Sequence, residues 1–187
     1  IKITVKINSL QRCKPLLGTF VEVSLQGHCS EQALLDYSEL AFTELTRIHH
    51  LLSFHNVDSD LSQLNEKLLQ QTDRQIPISK ELHDILTLAQ SLFTLSVGQY
   101  DLTIAPSLVL SNQLPNHLNL GDKQYGNFSD LTIGENSIST RIPLCLDLGG
   151  IAKGYAVDQA VKKLPAELMI SISAGGDLYQ NNWQENS

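Results

Sequence analysis

Cysteine is scarce in this 187-residue chain: only Cys13, Cys29 and Cys145 are present. Their odd count and wide spacing match neither a disulfide framework nor a metal-ligand pattern, so they read as buried or idle thiols. No apolar run approaches the ~18 residues that a membrane-spanning helix needs. Positive charge is also in deficit. Thirteen Lys and Arg face twenty Asp and Glu, a formal net charge of −7. A surface of that sign repels a phosphate backbone, which argues against a nucleic-acid partner, although one local site can still bind an anion. There is no internal repeat and no low-complexity segment. The 187 residues do not open on Met, and no signal peptide or lipid-attachment motif is visible in them; they begin with "IKITVKI", which alternates like a strand.

What is present is an ordinary globular composition, 42% hydrophobic and 18% charged, which argues against disorder. The alternation of residues 1 to 7 and of "GTFVEVSL", residues 18–25, predicts strands. Leu34, Ser38, Ala41, Leu45, Ile48 and Leu52 recur at helical spacing over 31–52, with Ser30 as N-cap. Asp58 or Ser59 is expected to cap a short helix carrying Leu61, Leu64 and Leu68. A third helix is predicted over 80–96, on the stripe Leu82, Ile85, Ala89 and Phe93, with Gly98 as its stop. Residues 111–130 read as a polar loop region. "LTIGENSIST" reads as a hairpin turning at 134–136. "IPLCLDL" reads as an apolar strand, 151–164 as a helix, and "LMISISA" as the last clear strand. Mixed elements with hairpins, not in steady alternation, predict an α+β fold with a mixed or antiparallel sheet packed with helices.

The chemistry concentrates at residues 144–161, "LCLDLGGIAKGYAVDQAV". Asp147 ends an apolar segment, Gly149 and Gly150 leave the backbone bare, and Lys153 falls in the first turn of a helix. Free amides at a helix start favour an anion, and Lys153 adds a full charge. The spacing is neither the Walker loop nor the dinucleotide fingerprint. Read from residues alone, the junction is either a phosphate or nucleotide site, or a tight turn with close helix–sheet packing.

"LDLGGIAKGYAVD" resembles the central motif of the ApbE family, the FAD:protein FMN transferases once called thiamine-biosynthesis lipoproteins. "PLLGTFVEV", "SFHNVDSDLSQLN", "SVGQYDLTIAPSL" and "SAGGDLY" resemble the family's other motifs, in the family's order, across residues 15–179. The resemblance implies binding of FAD and, with Mg2+, transfer of its FMN part to a Thr or Ser hydroxyl of a target protein, with release of AMP. It implies that Leu17, at the turn into Gly18 and Thr19, lines the flavin pocket. His55 stands where the family often has an aromatic residue. Gln99, Tyr100 and Asp101 match a flavin-contacting segment, and Asp147 and Lys153 match FAD-binding positions. Gly150 matches a metal contact, through its backbone carbonyl.

Family members run beyond this length and carry further metal ligands and a His-containing segment in their second half. No "H-x-x-D-P" stretch occurs here, so no catalytic residue is assigned. The expectation is one flavin-binding region over 1–187, the N-terminal part of a longer member. The alternative is a non-catalytic FAD-binding protein or a structural relic of the family. Residence outside the cytoplasm or attachment by a lipid anchor is implied by the resemblance only. His28, His83 and His117 receive no role, and His49 with His50 reads as helix surface. Asp101 reads equally as a cap or a ligand contact. Asp58 with Ser59 reads as a cap, Asp158 as solvated or paired, Asp177 as a turn residue or ligand contact, and Trp183 as packing on the core or belonging to a further strand.

Overall fold

The computed structural model describes residues 6–70 and 72–181. In chain order the elements are β1 (Asn8–Leu16), β2 (Thr19–Gly27), α1 (Glu31–Leu52), α2 (Asp60–Gln70), β3 (Ile76–Pro77), α3 (Lys80–Leu95) and α4 (Ala105–Leu110). There follow β4 (Leu131–Ile133), β5 (Ser137–Thr140), α5 (Ala152–Val161), β6 (Met169–Ala174) and β7 (Asp177–Asn181). Both sheets are antiparallel and both are accompanied by helices, as α+β predicts. The chain divides into two compact units. One takes Ile1–His49 with Ala152–Ser187, and the other takes His50–Ile151.

The first unit is built on a four-stranded sheet in the order β1-β2-β6-β7. Val21, Val23 and Leu25 stand directly opposite Ala174, Ile172 and Ile170 and form one buried face. The next residues along each strand turn the other way. Glu22, Ser173 and Leu178 share a row there, as do Ser24, Ser171 and Gln180. α5 lies against β6 and β7, with Tyr155, Ala156, Val157 and Ala160 buried. α1 is amphipathic, capped at Ser30, whose Oγ accepts from the Ala33 amide at 3.1 Å. Leu34, Ala41, Leu45 and Ile48 form its buried stripe.

β1 differs from the sequence reading, which left residues 8–16 without a strand. Its core-side residues include Arg12 and Lys14, opposite Val23 and Val21. Both cations lie over the Phe42 ring and pair with Glu39 on α1, so their stems cover apolar surface while their charges stay partnered. Their hydrogen bonds, Lys14 first and then Arg12, hold the Glu39 carboxyl below its usual range. Most of the strand expected at residues 1–7 lies outside the described residues, as does Trp183; Lys6 and Ile7 carry no regular structure.

The second unit holds the sheet β3-β5-β4, with α3 against β4. The predicted hairpin forms, closed by the Gly134 amide on the Ser137 carbonyl at 2.8 Å. Ser59 caps α2 by accepting from the Ser62 amide at 3.0 Å. α3 stops at Gly98, whose φ is +80° and whose amide reaches the Phe93 carbonyl. The expected polar region at 111–130 ends in a 3-10 turn, Phe128–Asp130, closed by a capping box between Asn127 and Asp130.

"IPLCLDL" is not a strand. Leu144 to Leu148 are buried, yet no strand pairs with them. The buried side-chain amide of Asn65 replaces the ladder, donating to the Leu146 carbonyl and accepting from the Leu146 amide, both at 2.8 Å. The helix expected at 151–164 is shorter, Ala152–Val161, and β7 follows the last strand the periodicity revealed. Among the described residues no helix is long and apolar enough to cross a membrane.

Candidate functional site

In the second unit, the residues after α3 converge on the glycine-rich turn. The Tyr100 amide donates to Ser96 Oγ at 2.9 Å, continuing the α3 terminus. Asp101 acts as a cap: its Oδ1 accepts from the Thr103 amide at 2.8 Å and from Thr103 Oγ1 at 2.7 Å. Its Oδ2 accepts from the Phe128 amide at 3.4 Å. The Leu102 carbonyl then accepts from the Asp147 amide at 2.8 Å. Asp147 is thereby fixed from two sides, by Leu102 on its own amide and by Asn65 on its neighbour Leu146.

Asp147 is only 9% exposed. Its Oδ2 accepts from the Gly149 amide at 3.1 Å, which bends the carboxylate back over its own turn. A Cβ at Gly149 would lie 3.0 Å from that oxygen, so a side chain there would crowd the carboxylate. Gly150 is different. A Cβ there would meet only the Tyr100 ring, 3.4 Å from its hydroxyl. Both glycines are exposed.

Charge and burial set the protonation states. Burial first, and the Asp147 charge second, push the Tyr100 phenol up from its ordinary value. The same two causes in the same order push the Cys145 thiol up to about 12. The Tyr100 hydroxyl is buried with no hydrogen-bond partner. Gln99 is exposed.

His55 is exposed in the turn after α1, and its neighbours fix the loop. Phe54 is buried and meets the His117 ring edge-on, with centroids 4.9 Å apart. His117 Nε2 lies 3.3 Å from Ser62 Oγ, and Ser62 Oγ donates to the Asn56 carbonyl at 2.8 Å. Sequence reading gave His117 no role because its partner lies 55 residues away, a distance that no local pattern reports.

In the first unit, Leu17 and Gly18 have φ of 58° and 70°. They form the two-residue hairpin turn between the paired Leu16 and Thr19. Both central residues left-handed is the primed-turn geometry, which an Asn-Gly pair adopts with less strain than Leu-Gly. A leucine held there is a strained backbone of the kind that clusters at ligand sites. Gly175 and Gly176, also left-handed, turn β6 into β7 at the same end of the sheet. A Cβ at Gly175 would come within 2.9 Å of the Thr19 side chain. Asp177, at the start of β7, places Oδ1 3.5 Å from the position of a Cβ at Gly154. Its carboxylate therefore sits over the first turn of α5, where Lys153 is half-buried.

The structure thus brings Tyr100, Asp101, Asp147 and Gly150 together in one unit, which also carries His55 and Gln99. It places Leu17 and Lys153 in the other. Among the described residues no group of three or more His, Cys, Asp or Glu is arranged to hold a metal ion. Gly150 offers one carbonyl, and Mg2+ prefers an octahedral shell of oxygens, so these residues alone do not make an Mg2+ site. The hydroxyl and N–H groups of a nucleotide fit better: the turn offers bare backbone, a buried carboxylate acceptor and an unpartnered phenol.

A sequence model described as the ApbE family matches residues 17–186. Among solved structures, the ApbE protein of Thermotoga maritima superposes with a TM-score of 0.78 at 21% identity, over 92% of this chain and 59% of that one. The flavin transferase ApbE from Vibrio cholerae gives 0.79 at 21%, over 96% and 61%. The apo flavinyl transferase ApbE of Pseudomonas stutzeri gives 0.74 at 21%, over 95% and 59%. No curated protein matches the chain. The chain spans about three-fifths of the length of the structures it matches, and at this identity the likeness is one of fold.

Proposed function

The chain belongs to the ApbE family, and from that membership we propose that it is the FAD-binding part of a flavin transferase, a single flavin-binding region corresponding to the N-terminal portion of longer members. The reaction proposed is transfer of FMN from FAD to a Thr or Ser hydroxyl of a target protein. The hydroxyl oxygen bonds to the FMN phosphorus, the phosphoanhydride bond to the adenylate breaks, the hydroxyl proton is lost and AMP leaves with the bridging oxygen.

One observation carries the reading: the buried carboxylate of Asp147, whose backbone is held from two sides, stands at an uncovered glycine turn inside the matched region. Asp147 is proposed to accept from ligand hydroxyl or ring N–H groups. Lys153 contributes positive charge for the pyrophosphate. Leu17 in the first unit, and His55, Gln99, Tyr100 and Asp101 in the second, are each proposed as flavin contacts. Gly150 would offer one carbonyl to a Mg2+ ion, which would supply charge neutralisation at the phosphoryl group, but the described residues of this chain do not complete its shell and no step is derived through it. No residue of this chain is assigned as catalytic.

The test is FAD titration of the full chain by flavin fluorescence, with Asp147→Asn as the variant. Asn keeps an acceptor for the Gly149 amide and removes the charge. Loss of a charge-assisted hydrogen bond, about 1.5–3 kcal/mol, predicts roughly 10- to 150-fold weaker binding. Unchanged affinity in that variant, or a wild-type chain that does not bind FAD, overturns the reading. AMP release in the presence of Mg2+ and a Thr-bearing acceptor tests the transfer step. Binding without AMP release would instead favour a non-catalytic FAD-binding protein.

A further inference from the structure

The second half of α3 leaves an apolar face in solvent. Leu88, Leu92 and Leu95 recur at four- and three-residue steps, so they share one stripe of the helix. Leu88 is 42% exposed, Leu95 is 80% exposed, and Val97, just past the helix end, is 88% exposed. Leu95 and Val97 are the two most exposed large apolar side chains among the described residues. Val97 also carries backbone strain. Its φ is +54°, a left-handed conformation that suits glycine or asparagine at a helix stop and is an outlier for a β-branched side chain. Its amide closes the helix on the Thr94 carbonyl at 3.1 Å. With its side chain in solvent, this strained valine gains no packing from its own chain; burial against a partner would supply it.

The surroundings of the stripe suit burial. Residues 85–121 contain a single Asp, Glu, Lys or Arg, in a chain that is 18% charged. That residue is Asp101, engaged with Thr103 and Phe128. Beside the leucines runs the exposed stripe Thr87, Ser91 and Thr94. Ser91 Oγ donates to the Thr87 carbonyl at 3.2 Å, and Thr94 Oγ1 donates to the Gln90 carbonyl at 2.9 Å. Hydroxyls whose hydrogens are already used inside the helix can be covered without losing a bond.

Charge identifies the occupant. At a net charge of −7, two copies repel over most of their surface. A two-fold contact sets a patch against its own image, and this patch has no like charges to oppose. A lipid surface is the poorer match, because no Lys or Arg within 85–121 is there to meet headgroup phosphates.

We propose that this face of α3 is a self-association surface: a second copy of the chain packs its own Leu88, Leu92, Leu95 and Val97 against the first. The two-fold axis passes near Leu92 with the helices antiparallel, so Leu88 of each copy meets Leu95 of the other. A parallel pair would set Asp84 against Asp84. Four apolar side chains and their polar neighbours cover on the order of 500 Å² per copy, less than the ~800 Å² per partner of a standard stable interface. The dimer is therefore weak, forming at tens to hundreds of micromolar. The inference stands apart from the flavin reading.

The experiment is sedimentation velocity of the full chain from about 5 to about 500 μM, a range that spans weak association. The wild type is expected to pass from monomer to dimer. Leu95→Glu is expected to stay monomeric throughout with an unchanged melting temperature, and Leu88→Lys to behave likewise. An equimolar mixture of those two variants is expected to recover the dimer, because the introduced carboxylate of one faces the introduced ammonium of the other. Val97→Gly relieves the left-handed strain and removes buried area, so it is expected to melt higher and to associate roughly 10-fold more weakly.

A wild type that is monomeric up to about 500 μM overturns the inference, as does self-association that Leu95→Glu leaves intact. A mixture of the two charged variants that stays monomeric overturns the antiparallel pairing. Co-sedimentation of a monomeric wild type with phosphatidylcholine vesicles, lost in Leu95→Glu, assigns the face to lipid and overturns the inference too. FAD titration reads the flavin site separately, so failure here leaves that reading untouched.

Discussion

Replacing Asn65 by leucine tests how the candidate site is held. Asn65 is fully buried, and its side-chain amide satisfies both backbone groups of Leu146 at 2.8 Å. Leucine has the same branched heavy-atom skeleton, so it opens no cavity, although its larger methyl groups add some crowding to the polar loss. It leaves one N–H and one C=O buried without partners, in a segment with no strand beside it. Each such group costs about 1–3 kcal/mol, so the expected loss is about 2–6 kcal/mol. That is a large fraction of the ~5–15 kcal/mol by which a typical domain is stable. Urea unfolding reads it as a lower midpoint at unchanged slope. Asn65→Asp is a control with its own sign. It keeps the acceptor for the Leu146 amide but removes the donor and buries a charge. Desolvation disfavours that charge, so its destabilisation should grow as pH rises and shrink in acid, where the protonated oxygen donates again. A loss below about 1 kcal/mol in Asn65→Leu would show that Leu146 finds other partners, and the account of Asp147 as held through Asn65 would fail.

Further outcomes follow from other parts of the fold. Gly175→Ala forces a left-handed residue with a side chain, about 1–2 kcal/mol, and drives a methyl to 2.9 Å from Thr19. It should lower the urea midpoint, and Thr19→Ala in the same chain should restore the crowding part; a midpoint indistinguishable from wild type would refute the crowding. Cys145 has a folded pKa of about 12 against an ordinary 9.0. Its contribution to stability is therefore fully present below pH 9 and lost as pH rises toward 12. Alkaline unfolding should set in over that window and weaken in Cys145→Ala, with proton uptake and release read by stability against pH. At pH 8 a thiol reagent should label exposed Cys13 in the native chain and Cys145 only on unfolding; native labelling of Cys145 would contradict its burial.

What the sequence made legible follows from where each element takes its stability. α1, α2 and α3 bury continuous apolar stripes and carry local signals, Ser30 and Ser59 as caps and Gly98 as a stop, so period and punctuation sufficed. β1 did not announce itself because its core-side row is Arg12 and Lys14, made tolerable by Phe42 and Glu39 on another element. β7 is a short edge strand with Leu178 exposed, so alternation carried little signal. The 142–148 segment was misread because an apolar run reports burial, and the identity of the hydrogen-bond partner is a tertiary fact. The same division holds at the site. Asp147, Lys153 and the glycines were conspicuous as residue types, whereas the orphaned Tyr100 hydroxyl and the His117–Ser62 contact exist only as distances and burial.

The glycines also separate on physical grounds. Gly149 is favoured by its own turn, because a Cβ there would crowd the Asp147 carboxylate at 3.0 Å. Gly175 is required by its left-handed φ and by Thr19. Those two satisfy the reading of the glycine-rich stretches as tight turns. Gly150 and Gly154 have neither requirement: their φ values lie outside the left-handed region, and a Cβ at either would make contact at 3.4 Å or beyond. Gly154 also costs helix stability, about 1 kcal/mol relative to alanine. A fold that needs no glycine at these two positions still carries one at each. They flank the start of α5, and the groups beside them are the Tyr100 hydroxyl at Gly150 and the Asp177 carboxylate at Gly154. Close approach of something other than this chain is what the exposed bare backbone at Gly150 would serve.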